Sequence, residues 1–222
     1  MSDVKENLIS VPVKGKGVLQ GDLQIPKGVS GLVVFAHGSG SSRFSPRNRS
    51  VAGFLQQGGV GTLLIDLLTQ EEGAGDELTA ALRFDIDLLT DRLCLVSEWL
   101  KSSKEAKHLR IGFFGASTGA AAALCAAAEM GEEIAAVVSR GGRPDLASKS
   151  LKNVKAPTLL IVGGNDEPVI GMNESAYALL KCEKKMIIVP GATHLFEEKG
   201  TLEEVSKLAL DWFSLYFKGL KS

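Results

Sequence analysis

Ile111-Gly112-Phe113-Phe114-Gly115-Ala116-Ser117-Thr118-Gly119-Ala120 opens a stretch that runs on, rich in alanine, to Met130. Residues 111–114 form a short apolar run of the kind expected for a strand buried on both faces. From Thr118 onward alanine, the best helix former, dominates. Between the two lies Gly115-Ala116-Ser117-Thr118-Gly119, a G-x-S-x-G pentapeptide. Small residues on either side of such a turn let strand and helix approach closely, so the serine hydroxyl projects above the sheet rim. The helix N-terminus beside it carries positive potential that favours a developing oxyanion. Ser117 is therefore the candidate nucleophile. The competing reading is a serine that only caps the helix.

Outward from this turn, apolar runs recur at 32–36, 61–65, 134–138, 158–162 and 186–189. Helical stretches separate them. Residues 46–57 begin with Pro46 and stop at Gly58-Gly59, and 82–100 carry Phe84, Ile86, Leu89, Leu93 and Val96 mostly on one face. Further helices are expected at 118–130, 174–181 and 202–217. This alternation implies an α/β fold, a mostly parallel sheet with helices on both faces and right-handed crossovers. Ahead of Pro26, residues 8–13 and 17–25 alternate around a Gly15-Lys16-Gly17 break, which suits an antiparallel hairpin at the sheet edge. The stretch from 138 to 158 is too short for a cap domain. One domain over residues 1–222, with an open, shallow pocket for short acyl chains, is the expectation.

The chain of 222 residues is 45% hydrophobic, enough for one buried core. Its 25 basic residues against 26 acidic ones give a net charge of -1, which exerts no general pull toward nucleic acid or membrane. A small molecule is the expected partner, and a homodimer is left open. The polar, mixed-sign start is unlike a secretory leader, and no apolar run approaches the roughly 18 residues of a membrane span. Cys94, Cys125 and Cys182 cannot all pair with one another, and none lies in a Cys/His cluster. Free thiols in the cytoplasm, and no metal site, follow as expectations.

Three histidines compete for the role of general base. His108 sits in the charged segment Lys107-His108-Leu109-Arg110, as a surface residue would. His37 follows the first parallel strand. His194, in Pro190-Gly191-Ala192-Thr193-His194, follows the last one and so lies at the carboxyl edge of the sheet, where ligands bind in open α/β folds. Ser117 ends its strand at that edge too, which makes His194 the better base. Asp166, in Gly163-Gly164-Asn165-Asp166-Glu167-Pro168, shares the rim and would orient the imidazole. Glu167 and Asp145 are its rivals, and a turn aspartate bonded to local backbone is the alternative.

The segments His37-Gly38-Ser39-Gly40-Ser41-Ser42-Arg43, Gly115 to Gly119, Gly164 to Pro168 and Pro190 to His194, taken together, resemble the dienelactone-hydrolase-like branch of the α/β-hydrolase superfamily. The chain order Ser, Asp, His matches that fold. The resemblance implies a hydrolase without cofactor, with an oxyanion hole formed by the backbone N–H groups of Thr118 and Ser39. One departure is Ser117 itself, since dienelactone hydrolases proper use cysteine there. Carboxylic ester cleavage is favoured over lactone cleavage accordingly. A thioesterase, an acyltransferase or a binding protein with an idle triad are the rival functions.

Arginines cluster in two loops at the same edge: Arg43, Arg47 and Arg49 after the first parallel strand, and Arg140 and Arg143 after 134–138. A guanidinium fork suits carboxylate or phosphate, so Arg43 and Arg140 are candidate binders of a substrate anion. Arg47 and Arg49 read more simply as solvated surface residues.

Overall fold

The apolar runs become strands because each can bury both of its faces, as a central parallel strand must. The computed structural model describes residues 7–218. Its strands are β1 (Asn7–Val13), β2 (Gly17–Gln24), β3 (Gly31–Ala36), β4 (Gly61–Ile65), β5 (Arg110–Ala116), β6 (Ile134–Arg140), β7 (Thr158–Gly163) and β8 (Lys184–Val189). They form one sheet in the order β1-β2-β4-β3-β5-β6-β7-β8. The hairpin of β1 and β2 is antiparallel and joins β4 antiparallel, while every pairing from β4 to β8 is parallel.

The helices are α1 (Pro46–Gln57), α2 (Gln70–Thr79), α3 (Ile86–Ser102), α4 (Thr118–Met130), α5 (Glu167–Leu179) and α6 (Thr201–Phe217). Two apolar cores lie on opposite faces of the sheet. One gathers Leu32, Val34 and Phe113 with Leu93 and Val96 of α3 and the alanines of α4. The other joins Phe35, Phe114 and Val138 to Leu55 of α1 and Phe213 of α6. The α/β-hydrolase architecture with its antiparallel N-terminal hairpin is as the sequence implies. Among the described residues no helix is long and apolar enough to cross a membrane.

Three helix boundaries differ from expectation. Helix α2 lacks apolar periodicity and holds two glycines, yet it forms behind a capping box. The Thr69 hydroxyl accepts from Glu72 N at 3.3 Å, and Glu72 accepts from Thr69 N at 3.0 Å. Helix α3 starts at Ile86 rather than 82, because Asp85 caps it by accepting from Leu88 N at 3.0 Å. Helix α5 begins at Glu167, well before 174, with Pro168 in its first turn, where a missing N–H costs nothing.

Candidate active site

The ends of β5, β7 and β8, at one edge of the sheet, carry the site. Ser117 follows β5 with φ 51° and ψ -123°, a backbone conformation that L-residues rarely adopt. The turn is held from both sides: Ser117 N donates to Arg140 O at 3.3 Å, and Arg143 N donates to Ser117 O at 3.0 Å. The Ser117 side chain makes no capping bond to α4, so the plain cap role is not what it performs. Gly119 has no space for a side chain, since a Cβ there would lie 2.2 Å from Ala36 O. That close approach seats α4 against the end of β3.

Asp166 and His194 come together because the loops after β7 and β8 are tied to each other. Gly164 N donates to Val189 O at 2.8 Å, and Asn165 N to Ala192 O at 2.9 Å. His194 Nδ1 then lies 2.7 Å from Asp166 Oδ2. Asp166 precedes α5 but makes no side-chain cap bond, so its carboxylate serves the imidazole rather than the local turn. With Nδ1–H donated to Asp166, Nε2 is left as the acceptor. Ser117 and His194 line one cavity of about 280 Å³ together with Arg140, Arg47, Asn48 and Ser41. Among the described residues they make no direct hydrogen bond to each other. Glu198 steadies the His194 loop by accepting from Thr193 N at 3.1 Å and Thr193 Oγ1 at 2.7 Å. Those bonds to Thr193 hold the Glu198 carboxyl below its ordinary range.

The arginines divide sharply. Arg43 is not available to a substrate anion, contrary to expectation. Its guanidinium pairs with Asp66 and approaches Asp22 at 3.7 Å, and it stacks 4.1 Å above the Phe44 ring. Arg47 pairs with Glu197, Arg49 with Asp22, and Arg143 with Asp145. Asp145 is thereby spent, which removes it as a rival to Asp166. Arg140 is different. It is 6% exposed and has no carboxylate partner among the described residues. Its Nη2 donates to Asn48 Oδ1 at 3.1 Å, the Phe196 ring lies 5.9 Å away, and Nε is buried without a partner. Burial, and after it the nearby Arg47 charge, pushes the guanidinium down to about 10, so it still carries its charge at neutral pH. The β5–β6 register sets Arg140 directly beside Ala116, one residue before the elbow serine.

The expected oxyanion donors also divide. Thr118 begins α4, where the first N–H groups have no intrahelical acceptor. Ser39 N–H, by contrast, is already engaged, donating to Thr118 Oγ1 at 2.8 Å. His37 is not the base. Its Nδ1–H donates to Gly38 O at 3.1 Å and its Nε2 accepts from Leu67 N at 3.4 Å, which binds the 37–43 loop to the end of β4. His108 is exposed, as expected.

Nor is the pocket a single shallow dish. On the other side of the 37–43 loop, beneath α2, lies a second cavity of about 720 Å³ lined by Gln20, Asp66, Thr69, Asp76 and Arg83. The two cavities share Gly38, Ser39 and Ser41. Asn48, Phe196 and Glu198 are site residues that no motif in the sequence marked.

A dienelactone hydrolase family profile matches residues 25–218, nearly the whole chain. The chain belongs to the dienelactone hydrolase family. A crystal structure of a dienelactone hydrolase from Anabaena variabilis is similar at 58% identity and TM-score 0.93, covering 96% of this chain and 98% of that one. Est1E from Butyrivibrio proteoclasticus shares the fold at TM-score 0.77 with 16% identity, covering 96% and 99% of the two chains. Two Mycobacterium tuberculosis proteins, from strains CDC 1551 and H37Rv, are each 55% identical over 201 residues. They carry the provisional name phosphoribosyl transferase. The match covers 90% of this chain but only 44% of theirs, so this chain spans less than half of the proteins so named. Family membership and fold support reading the chain as a hydrolase.

Proposed function

We propose that this hydrolase cleaves carboxylic esters of small, anionic substrates through an acyl-enzyme on Ser117. The observation that carries the proposal is the 2.7 Å contact of His194 Nδ1 with Asp166, in the loop whose imidazole shares a cavity with the elbow serine. In the cycle, Ser117 Oγ attacks the ester carbon and His194 Nε2 takes its proton. Asp166 keeps the imidazole in the competent tautomer and stabilises its protonated form. The tetrahedral intermediate collapses with loss of the alcohol, which receives the proton back from His194. Water then attacks the acyl-enzyme by the same route, releasing the carboxylic acid.

Arg140 supports the anionic half of the substrate assignment. A buried cation without a counter-charge costs several kcal/mol, and an anion seated against it would recover much of that cost. A thioesterase or acyltransferase would use the same three groups, and competition between water and added thiol or alcohol separates those outcomes. The test is labelling with a fluorophosphonate, together with hydrolysis of 4-nitrophenyl acetate. We expect the parent to label at Ser117, and Ser117→Ala neither to label nor to retain more than about one part in 10³ of parental turnover, at the cautious end of triad losses. An unlabelled parent, or an alanine variant near parental rate, would discard the proposal.

A further inference from the structure

We propose that the cavity shared by Ser117 and His194 takes an ester that also carries a phosphate monoester, held between Arg47, Arg140 and the first turn of α1. The proposal rests on the acyl-enzyme reading above and narrows its anion to a doubly charged group. The cavity is about 280 Å³, and no aspartate or glutamate is among the residues that line it. Two guanidinium groups are, those of Arg47 and Arg140. Each has its Nε buried without a hydrogen-bond partner among the described residues. Buried donors seldom go unused, and two of them on residues of one cavity point to acceptor oxygens supplied by a ligand.

The charge of Arg47 already works against that of Arg140, so the two cations are near enough to share one anion. Glu197 takes up Arg47 Nη1 at 2.8 Å, from a side chain 60% exposed, and leaves Nε free. Arg140 donates through Nη2 to Asn48 Oδ1 and has no acid among the described residues. A carboxylate brings one charge and two oxygens, which suit one guanidinium fork. A phosphate monoester brings nearly two charges and three acceptor oxygens, which suit both. The helix adds to this, because Ser45, Arg47 and Asn48 at the start of α1 line the same cavity. Helix α1 is 12 residues long with no acid in its first turn, so the positive potential of its N-terminus is not cancelled there. Arg140 stands beside Ala116 in the β5–β6 register, which sets phosphate and scissile carbonyl a few bonds apart in the substrate. The acyl C–O bond breaks, water supplies the hydroxyl of the acid and the proton of the alcohol, and the P–O bonds stay intact.

The test measures competitive inhibition of 4-nitrophenyl acetate hydrolysis by glycerol 3-phosphate, glycerate and inorganic phosphate. It is run at about pH 7.5, where a phosphate monoester is mostly dianionic. The parent is compared with Arg47→Met and Arg140→Met, and melting curves establish that each variant folds. In the parent, glycerol 3-phosphate should inhibit at about one tenth of the glycerate concentration or less. Arg47→Met should weaken glycerol 3-phosphate about tenfold and glycerate no more than about twofold, since one fork satisfies the carboxylate. Arg140→Met should weaken both about tenfold. If methionine at this buried position fails to fold, Arg140→Lys takes its place, keeping the charge and losing the fork. Equal inhibition by the two organic anions, or glycerol 3-phosphate indifferent to Arg47→Met, overturns the proposal. Inhibition by inorganic phosphate without glycerol 3-phosphate also overturns it, as a seat for the free ion. A parent labelled by fluorophosphonate but blind to glycerol 3-phosphate sinks this inference alone; an unlabelled parent sinks the acyl-enzyme proposal with it.

Discussion

Arg140 holds a charge that nothing in the described protein neutralises, although its four neighbours in kind, Arg43, Arg47, Arg49 and Arg143, all have acids. Replacing it with methionine keeps the bulk and removes the charge. Hydrolysis of the 4-nitrophenyl monoester of succinic acid, compared with 4-nitrophenyl acetate, should then lose about tenfold or more of its relative kcat/KM. That is the worth of one hydrogen bond to a charged group. An unchanged ratio would remove Arg140 from substrate recognition. His37 makes a prediction of a different kind. Burial holds its imidazole below the ordinary 6.5. Below about 6.5 the unfolded chain therefore takes up a proton that the folded chain resists, and stability falls with falling pH. Above that value both states are neutral and the contribution is flat. The melting temperature should decline from pH 6.5 toward 5.5, and His37→Gln should flatten that decline. At this scale the sequence spoke clearly for Ser117, Asp166 and His194, because few polar residues follow apolar strands and their chain order is distinctive. It was silent on Asn48, Phe196 and Glu198. An asparagine or a phenylalanine has no chemistry that marks it until a partner stands next to it.

Helix α2 shows how an element can hide from periodicity. Its sequence, Gln70-Glu71-Glu72-Gly73-Ala74-Gly75-Asp76-Glu77-Leu78-Thr79, has no apolar stripe, and Asp76 is its one buried residue. Thr69 and Glu72, at capping-box spacing, were the only sign of it. The helix is anchored by charge instead. Asp76 bonds Arg83 Nε at 2.6 Å and Leu82 N at 2.6 Å, while Glu72 pairs with Arg92 at 2.7 Å. Such anchors lie outside the element and cannot be read from its own pattern. Gly75 is exposed, and a Cβ there would touch nothing within 4 Å. Gly75→Ala should therefore stabilise the protein by about 0.5–1 kcal/mol, from the backbone entropy that glycine forfeits inside a helix. Thermal melting should rise by roughly 1–4 °C. A fall would mean that α2 does not sit as a regular helix. By contrast α1 and α4 matched expectation residue for residue, since Pro46 and the Ser117 turn fix their starts and glycines follow their ends.

At the scale of the whole molecule, one sheet separates two cores, so neither core can survive alone. Near-ultraviolet and far-ultraviolet circular dichroism should report the same melting midpoint, to within about a degree, as cooperative domains do. Separate midpoints would show that one face of the sheet unfolds independently. The alternation of apolar runs and helices determined the sheet, its layers and the edge hairpin, because burial on both faces of a strand is a local demand that sequence must satisfy. The same logic put serine, aspartate and histidine at one rim. It could not say which arginine would be left without an acid, nor that Ser39 N–H would be spent on a threonine hydroxyl. Nor could it foresee the larger cavity that α2 closes beyond the 37–43 loop. Each of these depends on how two distant loops pack, over distances of an ångström or less, and the chain carries that information only once it has folded.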